Sequence, residues 1–416
     1  MEAAEGGARP RNADVGAWSR ARRAAFLTLV GLLVAGGPLG TDMYIPAMPD
    51  VAADLAVPVA LVQLTLPAYN VGLGAGQFLW GPASDRFGRR GPLLVGIAAF
   101  ILGCLLCMVA PSIWVLLAAR LVMGVGGSAG VVIGRAIARD LYTGSALARV
   151  FGVLAVIFGI APVVAPLIGG VALLVADWRG TFAVMGAIGL VLLLGTALCI
   201  PETLRAELRV RGRSTARREA WVAPLRNRAF VAATLTLVGA GSSMILYLTS
   251  VSIILQDEHG LDSSAVAVLY AVNAVGVVLA GQFGPLLARL IGGLRTLALA
   301  LTLNLAAASL VATASALAAP LWLVVTGMWV TVAATGVCFP VALALALAPF
   351  ARGAGTAAAI ACGCQLALGS VIPAVVAGMF GPSGVVLGVA QAVTTLLTIG
   401  LVAGTALARQ IGRAHV

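Results

Sequence analysis

The sequence has no lysine, only two histidines and few charged residues of any kind, and these scarcities exclude several classes of protein. Charged residues make up 10% of the 416 residues, which is too few to give a soluble globule of this size a polar surface. Without lysine there is no Walker-type G-x-x-x-x-G-K-[ST] loop, so the chemistry of an ATP-driven pump is excluded. His259 and His415 have no nucleophile or metal-ligand partner near them in the sequence. We therefore expect neither an enzyme nor a bound cofactor or metal.

Cysteine is also scarce, and its positions argue against a disulfide framework or a zinc site. All six cysteines fall within apolar stretches, where a thiol behaves as a small core hydrophobe. They are Cys104, Cys107, Cys199, Cys338, Cys362 and Cys364.

Apolar residues dominate the chain, at 61% of the sequence, and the mean hydropathy is +1.06. A bilayer core takes roughly 20 helical residues to cross, and apolar stretches of that length recur along the chain. The sequence therefore predicts an all-α membrane protein with twelve transmembrane helices. We place these at 24-45, 58-80, 91-110, 113-137, 150-175, 180-200, 229-254, 264-288, 296-318, 320-346, 355-380 and 384-408.

All 26 basic residues are arginine, and the formal net charge is +11. In a soluble protein that balance would suggest nucleic acid as a partner, but here the arginines follow the membrane topology. With the N-terminus inside, all but Arg120 and Arg179 lie on the cytoplasmic side, as the positive-inside rule expects. We predict a multi-pass protein of the inner (plasma) membrane with both termini cytoplasmic, in contact with lipid and not with nucleic acid. The first apolar segment has no cleavage site after it, so we expect a retained helix.

The one long polar interruption, residues 201-228, divides the twelve spans into two groups of six. The groups also share a short repeat, because Gly76-Gln77-Phe78 near the end of the second span corresponds to Gly281-Gln282-Phe283 in the eighth. Transporters built from two such repeats bind substrate between the halves. The predicted division is 1-23 (cytoplasmic tail), 24-200 (first six-helix half), 201-228 (cytoplasmic linker), 229-408 (second half) and 409-416 (cytoplasmic tail).

A charged motif, Gly81-Pro-Ala-Ser-Asp85-Arg86-Phe-Gly88-Arg89-Arg90, stands between spans two and three. It resembles the inner-loop motif of the major facilitator superfamily, G-x-x-x-D-R-x-G-R-R. Gly88 would allow a tight turn between two helices, and the arginines would hold the loop inside. We expect a conformational latch formed by Gly81, Asp85, Arg86, Gly88, Arg89 and Arg90. The alternative is topological anchoring alone.

Further motifs resemble one branch of that superfamily, the bicyclomycin and chloramphenicol resistance (Bcr/CflA) branch of the twelve-helix drug/proton antiporters. They are Thr41-Asp42-Met43-Tyr44-Ile45-Pro46, Arg120-Leu-Val-Met-Gly124-Val-Gly126-Gly127, Ala165-Pro166-Leu167-Ile168-Gly169-Gly170, Trp178-Arg179-Gly180-Thr181-Phe182 and Pro201-Glu202-Thr203-Leu204.

The resemblance implies an exporter of small lipophilic, drug-like molecules that exchanges them for protons by alternating access, and we expect it to work as a monomer. It also implies that the span-five motif, with Pro162, Pro166, Gly169 and Gly170, lies at the interface between the halves. Three alternatives remain open: a dedicated exporter of a self-made metabolite or amino acid derivative, a proton symporter, and a membrane sensor or scaffold without transport activity.

Asp42 is the only acidic side chain in a predicted span, and we expect it to carry the proton. With alternating spans, Asp42 and Arg120 lie roughly 6 to 10 Å below the outer surface and could share one cavity. Burial would favour the protonated carboxyl group, whereas Arg120 would favour the carboxylate. The alternatives are a helix-end residue facing water for Asp42 and a partner of backbone carbonyls for Arg120. Resemblance to the span-four arginine implicated in proton transfer favours proton coupling for Arg120.

A substrate cavity would be lined by apolar and aromatic side chains, a few polar ones and no charged ones. Such a pocket suits neutral or weakly polar lipophiles. Each polar residue could instead form an interhelical hydrogen bond. The cavity candidates are Tyr44, Tyr69, Asn70, Tyr247, Asn273 and Gln365.

Overall fold

The computed structural model of the protein describes residues 19–142, 144–204, 215–350 and 354–414, and throughout these ranges every regular element is a helix. Twelve long helices follow one another, and we number them α1 to α12. They are α1 (Arg20–Asp42), α2 (Thr65–Phe87), α3 (Arg90–Met108), α4 (Ile113–Leu141), α5 (Gly144–Val175), α6 (Trp178–Cys199), α7 (Arg228–Ile253), α8 (Ser263–Ile291), α9 (Gly293–Ala316), α10 (Leu321–Leu347), α11 (Ala354–Gly369 and Val371–Phe380) and α12 (Gly384–Ala414).

Ten of these helices, counted over the described residues, are long and apolar enough to cross a membrane. The other two, α2 and α5, are also more than 18 residues long. Helix α2 is less apolar because it carries Asn70, Gln77 and Asp85 along its length. The apolar part of α5 is Ile160–Val175. The twelve helices correspond one to one to the twelve predicted spans.

The main differences from the predicted spans are the boundaries of α2 and an interruption within α11. Helix α2 begins at Thr65 and not at residue 58, because two short helices, Met48–Asp54 and Val59–Gln63, precede it. It also continues to Phe87, so most of the charged motif that was expected in a loop is helical. Only Gly88 and Arg89 connect α2 to α3, and the φ of +92° at Gly88 requires glycine in this two-residue turn. Helix α11 is interrupted at Ser370, between its two segments.

The two halves, α1 to α6 and α7 to α12, pack by the same scheme. In the first half α4 packs against α1, α2 and α3, and in the second half α10 packs against α7, α8 and α9. Glycines permit the close approaches: a methyl group on Gly124 would meet the backbone carbonyl of Tyr69, and one on Gly336 would meet that of Val277. Across the halves, α2 packs against α11 and α5 packs against α8. These two contacts are equivalent, because α2 corresponds to α8 and α5 corresponds to α11 when the halves are exchanged.

The predicted linker 201-228 contains a helix, Thr215–Arg226, that packs against both halves. Its Trp221 ring lies 5.8 Å from the ring of Phe78 on α2, centroid to centroid, and the helix also contacts α7 and α11. Residues 205–214 of the linker lie outside the described residues, as do residues 1–18 and 415–416 of the predicted tails.

Candidate functional site

A cavity of about 780 Å³ lies between the two halves. We call the side of the helix bundle that carries the α2–α3 turn the Arg89 side. The cavity extends to that side, because its walls include Arg139, two residues before the end of α4, and Leu347, the last residue of α10. Its walls come from α1, α2, α4 and α5 in the first half and from α7, α8, α10 and α11 in the second.

On the opposite side the two halves are in contact and close the cavity. Gln63, which is buried, donates a hydrogen bond from Nε2 to the backbone carbonyl of Thr249 on α7. Tyr247 and Tyr270 form the deep end of the cavity, and both are buried. The structure is therefore in a conformation whose cavity extends toward the Arg89 side and is closed at the other.

A cluster of polar side chains at this deep end joins the halves. The carboxyl group of Asp42, at the end of α1, contacts the hydroxyl group of Tyr270 on α8. The Tyr270 ring stacks on the Tyr247 ring at 6.4 Å between centroids, and Asn273 donates from Nδ2 to the Tyr247 hydroxyl. Asp42 is only 4% exposed, so its carboxyl group lies directly behind the tyrosines that end the cavity.

Arg120, on α4, is completely buried and is held by aromatic rings and backbone carbonyls. Its guanidinium carbon lies 4.5 Å from the ring centroid of Tyr69 and 4.7 Å from that of Tyr44. Nη1 donates to the carbonyl of Gly40 at 2.7 Å, and Nε donates to that of Thr65 at 3.4 Å. Tyr69 and Tyr44 thus sandwich a cation, an arrangement that partly replaces its lost hydration.

Asp42 and Arg120 are brought to the same region but do not pair. Arg120 bonds to the carbonyl of Gly40, two residues before Asp42, while the Asp42 carboxyl group contacts Tyr270. Within the described residues no ion pair joins the two side chains. Tyr270 is one of the polar residues in the predicted spans, but nothing in its surrounding sequence indicates that it meets Asp42.

Two of the six cavity candidates line the cavity, namely Tyr247 and Gln365. Asn273 lies behind Tyr247 and donates to its hydroxyl group. The other three pack inside the first half: Tyr44 and Tyr69 contact Arg120, and Asn70 donates to the carbonyl of Leu66 in its own helix. That the four residues outside the cavity lining contact substrate stays a prediction.

The repeated Gly-Gln-Phe sequence has a direct structural counterpart. Gln77 on α2 and Gln282 on α8 both line the cavity, one from each half. The preceding glycines, Gly76 and Gly281, face α4 and α10 respectively. The repeat therefore places an amide group at corresponding positions of the two halves.

The expectation of a cavity without charged groups is wrong. Arg135 and Arg139, both on α4, line it. Both are among the arginines expected on the cytoplasmic side, but Arg135 lies inside the predicted fourth span, and Arg139 also lies in α4 because this helix continues to Leu141. Their spacing of four residues, which puts two side chains on one helix face, is the signal that could have placed them together.

The predicted latch residues form a network around Arg89. The Arg89 side chain donates from Nε to Asp140 on α4 at 2.9 Å and also contacts Asp85 and Ser84 on α2. Its backbone N–H donates to Glu202, which follows α6, at 2.8 Å. The network thus ties together α2, α4 and the segment after α6.

The remaining latch residues lie around this network. Arg86 stacks over Phe87, with 5.1 Å from the guanidinium carbon to the ring centroid. Arg90 donates to the carbonyl of Ala197 on α6, and Gly81 lies within α2. Burial lowers the pKa of Arg89, but the hydrogen bonds and charges of Asp140 and Asp85 outweigh this effect, so the pKa is raised above its usual range.

The span-five motif residues lie on α5, and their surroundings differ. Pro162 lines the cavity. A methyl group on Gly169 would meet the backbone carbonyl of Met43, next to Asp42, whereas Gly170 faces open space. Pro166 is half-buried in the same helix.

In the described part of the chain no group of three or more His, Cys, Asp or Glu side chains could hold a metal ion.

Residues 27–373 match the Major Facilitator Superfamily. Since this match covers most of the chain, the protein belongs to that superfamily and is a multi-pass membrane transporter. Two solved structures share the fold: the D-xylose–proton symporter (TM-score 0.72, 14% identity, 91% of this chain and 97% of that one) and a bacterial homolog of the human lysosomal transporter Spinster (TM-score 0.69, 17% identity, 94% and 96%). The predicted fold of twelve helices in two halves is confirmed.

Similarity to individual proteins indicates the branch of the superfamily. It is 34% identical over 381 residues to the uncharacterized MFS-type transporter YdgK of Bacillus subtilis (strain 168), covering 90% of this chain and 94% of that one. It is 27% identical over 354 residues (85% and 89%) to a bicyclomycin resistance protein homolog of Haemophilus influenzae and 31% identical over 251 residues (60% and 63%) to multidrug resistance protein D of Escherichia coli (strain K12). The predicted family branch agrees with these relatives.

Proposed function

We propose that the protein exports small lipophilic, drug-like molecules in exchange for protons by alternating access. The observation that carries this proposal is the position of Asp42. Its buried carboxyl group lies behind the tyrosines that end the cavity between the halves and contacts one of them, Tyr270 of the other half. An ionisable group in that position can sense both the substrate and the conformation.

The names of the relatives support the substrate class. The relative from Haemophilus influenzae is named for bicyclomycin resistance, and others are named for multidrug or chloramphenicol resistance. The cavity is consistent with this substrate class, since most of its lining side chains are apolar or aromatic.

Coupling requires the proton and the drug to favour different conformations or to exclude each other. The charge of Asp42 changes the strength of its contact with Tyr270, and this contact holds the deep end of the cavity closed. Exchange requires the drug-bound transporter to open at that end and the protonated, drug-free transporter to return to the conformation whose cavity extends to the Arg89 side. Arg120 acts as a positioning residue, because it holds the backbone of α1 at Gly40.

The Arg89 network is proposed as the conformational latch. It joins α2, α4 and the segment after α6 at the Arg89 side. These helices then move as one body when the cavity closes on that side. We also propose that the Arg89 side is cytoplasmic, that both termini lie there and that the transporter works as a monomer.

The first test is growth inhibition by a panel of antibiotics, including chloramphenicol and bicyclomycin, in an efflux-deficient host. The host carries the wild type, Asp42→Asn or an empty vector, with matched amounts of protein in the membrane. Resistance that is present with the wild type and absent with Asp42→Asn supports drug export through this carboxyl group. Equal resistance with both proteins removes Asp42 as the proton site, and no resistance to any compound contradicts drug export.

A further inference from the structure

Two arginines line the cavity and form no ion pair within the described part of the chain. Arg135 and Arg139 lie one turn apart on the same face of α4, Arg135 half-buried and Arg139 exposed to the cavity mouth. Neither forms an ion pair with a carboxylate of the described residues, and no aspartate or glutamate of those residues lines the cavity. Two like charges at this spacing destabilise a helix unless a third group compensates them.

The carboxylates nearest to this pair are already engaged. Asp140, next to Arg139 in the chain, accepts hydrogen bonds from Arg89 and from Thr203. Asp85 forms an ion pair with Arg89. Both acids thus belong to the Arg89 network, and the cavity keeps a surplus of positive charge.

Neutral polar groups stand close to the pair. The Arg135 guanidinium contacts the thiol of Cys362 on α11, and Gln365 follows one turn later on that helix. Gln77 adds a further amide from α2, and both glutamines line the cavity. These groups can donate hydrogen bonds to an anion but cannot neutralise the arginines.

We infer that the cavity binds amphipathic anions, whose acidic group pairs with Arg135 and Arg139 while the apolar body lies deeper. A guanidinium group pairs with a carboxylate through two parallel hydrogen bonds, and two such groups on one helix face can hold one acid between them. The deeper wall offers Val277, Phe339 and Tyr247 to the apolar body. This inference rests on the proposed function and names its substrate class: lipophilic compounds that carry one carboxylate or a similar acidic group.

The alternative role of these arginines is to anchor the helix end at the membrane surface, and substitutions can separate the two roles. The double variant Arg135→Gln/Arg139→Gln removes the charge from the cavity, and Arg135→Lys/Arg139→Lys keeps it. A matched control, Arg289→Gln/Arg295→Gln, removes two exposed arginines from the same side of the protein outside the cavity.

The experiment measures equilibrium binding of radiolabelled compounds to the purified full-length chain in lipid nanodiscs, with empty nanodiscs as the blank. The probes are fusidate and naproxen, each compared with its uncharged methyl ester. We expect the acids to bind the wild type more tightly than the esters do. The glutamine variant should weaken binding of the acids about tenfold or more, as for the loss of a charge-assisted hydrogen bond. Binding of the esters should change less than about twofold, and the control should retain binding of the acids. The lysine variant should retain part of it, because an ammonium group keeps the charge but not the paired hydrogen bonds.

Two results would overturn the inference: the acids fail to bind more tightly than the esters, or the glutamine variant weakens both to the same extent. Resistance to uncharged drugs, measured in the same variants, separates this failure from failure of the proposed function. If the wild type exports uncharged drugs but does not prefer the acids, the inference falls and drug export stands. If the wild type exports no compound, drug export itself falls.

Discussion

The hydroxyl group of Tyr270, on α8, contacts the carboxyl group of Asp42, at the end of α1, and this contact joins the two halves. It lies at the deep end of the cavity, on the side where the halves touch. Opening of the transporter on that side must separate these two groups. The contact is therefore a direct physical connection between the charge of Asp42 and the conformation of the protein.

Replacing Tyr270 with phenylalanine should impair drug export but less severely than Asp42→Asn. The substitution would keep an aromatic ring to stack on Tyr247 and would remove only the donor to Asp42. A hydrogen bond to a charged group contributes about 1.5–3 kcal/mol, so we expect a several-fold loss of resistance at matched expression. Growth inhibition by the same antibiotic panel measures it.

The control for Tyr270→Phe is Tyr142→Phe, which removes a hydroxyl group that has no hydrogen-bond partner in the described structure. The double variant with Asp42→Asn tests the connection itself. If Tyr270 acts through Asp42, its substitution should have little further effect once Asp42 is neutral. Effects that add in full would show that the two side chains act independently.

Lysine at position 120 should not replace arginine. The planar guanidinium group lies between the rings of Tyr44 and Tyr69 while it donates to the carbonyl of Gly40. An ammonium group keeps the charge but loses the stacked plane and the fixed donor fork. We expect Arg120→Lys to destabilise the protein by about 2 kcal/mol and to reduce export strongly. The melting temperature of the purified protein and the resistance assay measure the two effects.

An exposed arginine provides the comparison for Arg120→Lys. Arg86 stacks only on Phe87 at the membrane surface, so Arg86→Lys should change stability by no more than about 0.5 kcal/mol. Equal melting temperatures for the two lysine variants would contradict the structural role given to the aromatic cage.

Removal of the Arg89 side chain should release the latch. Arg89→Gln would leave Asp140 and Asp85 without their cation, and breaking such partly buried pairs costs about 3 kcal/mol. We expect a lower melting temperature and a loss of transport. The control is Arg90→Gln, which leaves the contacts of Asp85 and Asp140 intact, and an equal effect of both variants would argue for anchoring by charge alone.

The sequence predicted the number and order of the helices well because these depend on local patterns. Apolar runs of bilayer length determine the spans, and Gly88 determines the turn between α2 and α3. Helix α2 was nevertheless predicted to end too early, since the polar residues before Gly88 looked like a loop although their hydrogen bonds continue the helix.

The contacts between the halves were beyond the reach of sequence patterns. The packing of α4 on α1, α2 and α3 fixes which of its faces is turned to the cavity, and Arg135 and Arg139 lie on that face. Periodicity does not predict the orientation of a helix that is apolar on most sides. Tyr270 meets Asp42 through the docking of α8, which is far from α1 in the chain. Such pairings depend on tertiary structure alone.

Two adjacent glycines in the span-five motif should respond differently to alanine. A methyl group on Gly169 would come closer to the backbone carbonyl of Met43 than packed atoms allow, whereas Gly170 has no neighbour within 4 Å of an added methyl group. Because Met43 follows Asp42, Gly169→Ala should push the end of α1 away from α5 and disturb the Asp42–Tyr270 contact.

We therefore expect Gly169→Ala to lower both the melting temperature and the antibiotic resistance, with a cost of about 1–3 kcal/mol for the overpacked contact. Gly170→Ala should be neutral or stabilising by up to about 1 kcal/mol, since alanine is the better helix former. The two variants add the same methyl group to the same helix, so a general effect on α5 would appear in both. A loss of export with Gly170→Ala at normal stability would instead point to a role for that face of α5 in another conformation of the transport cycle.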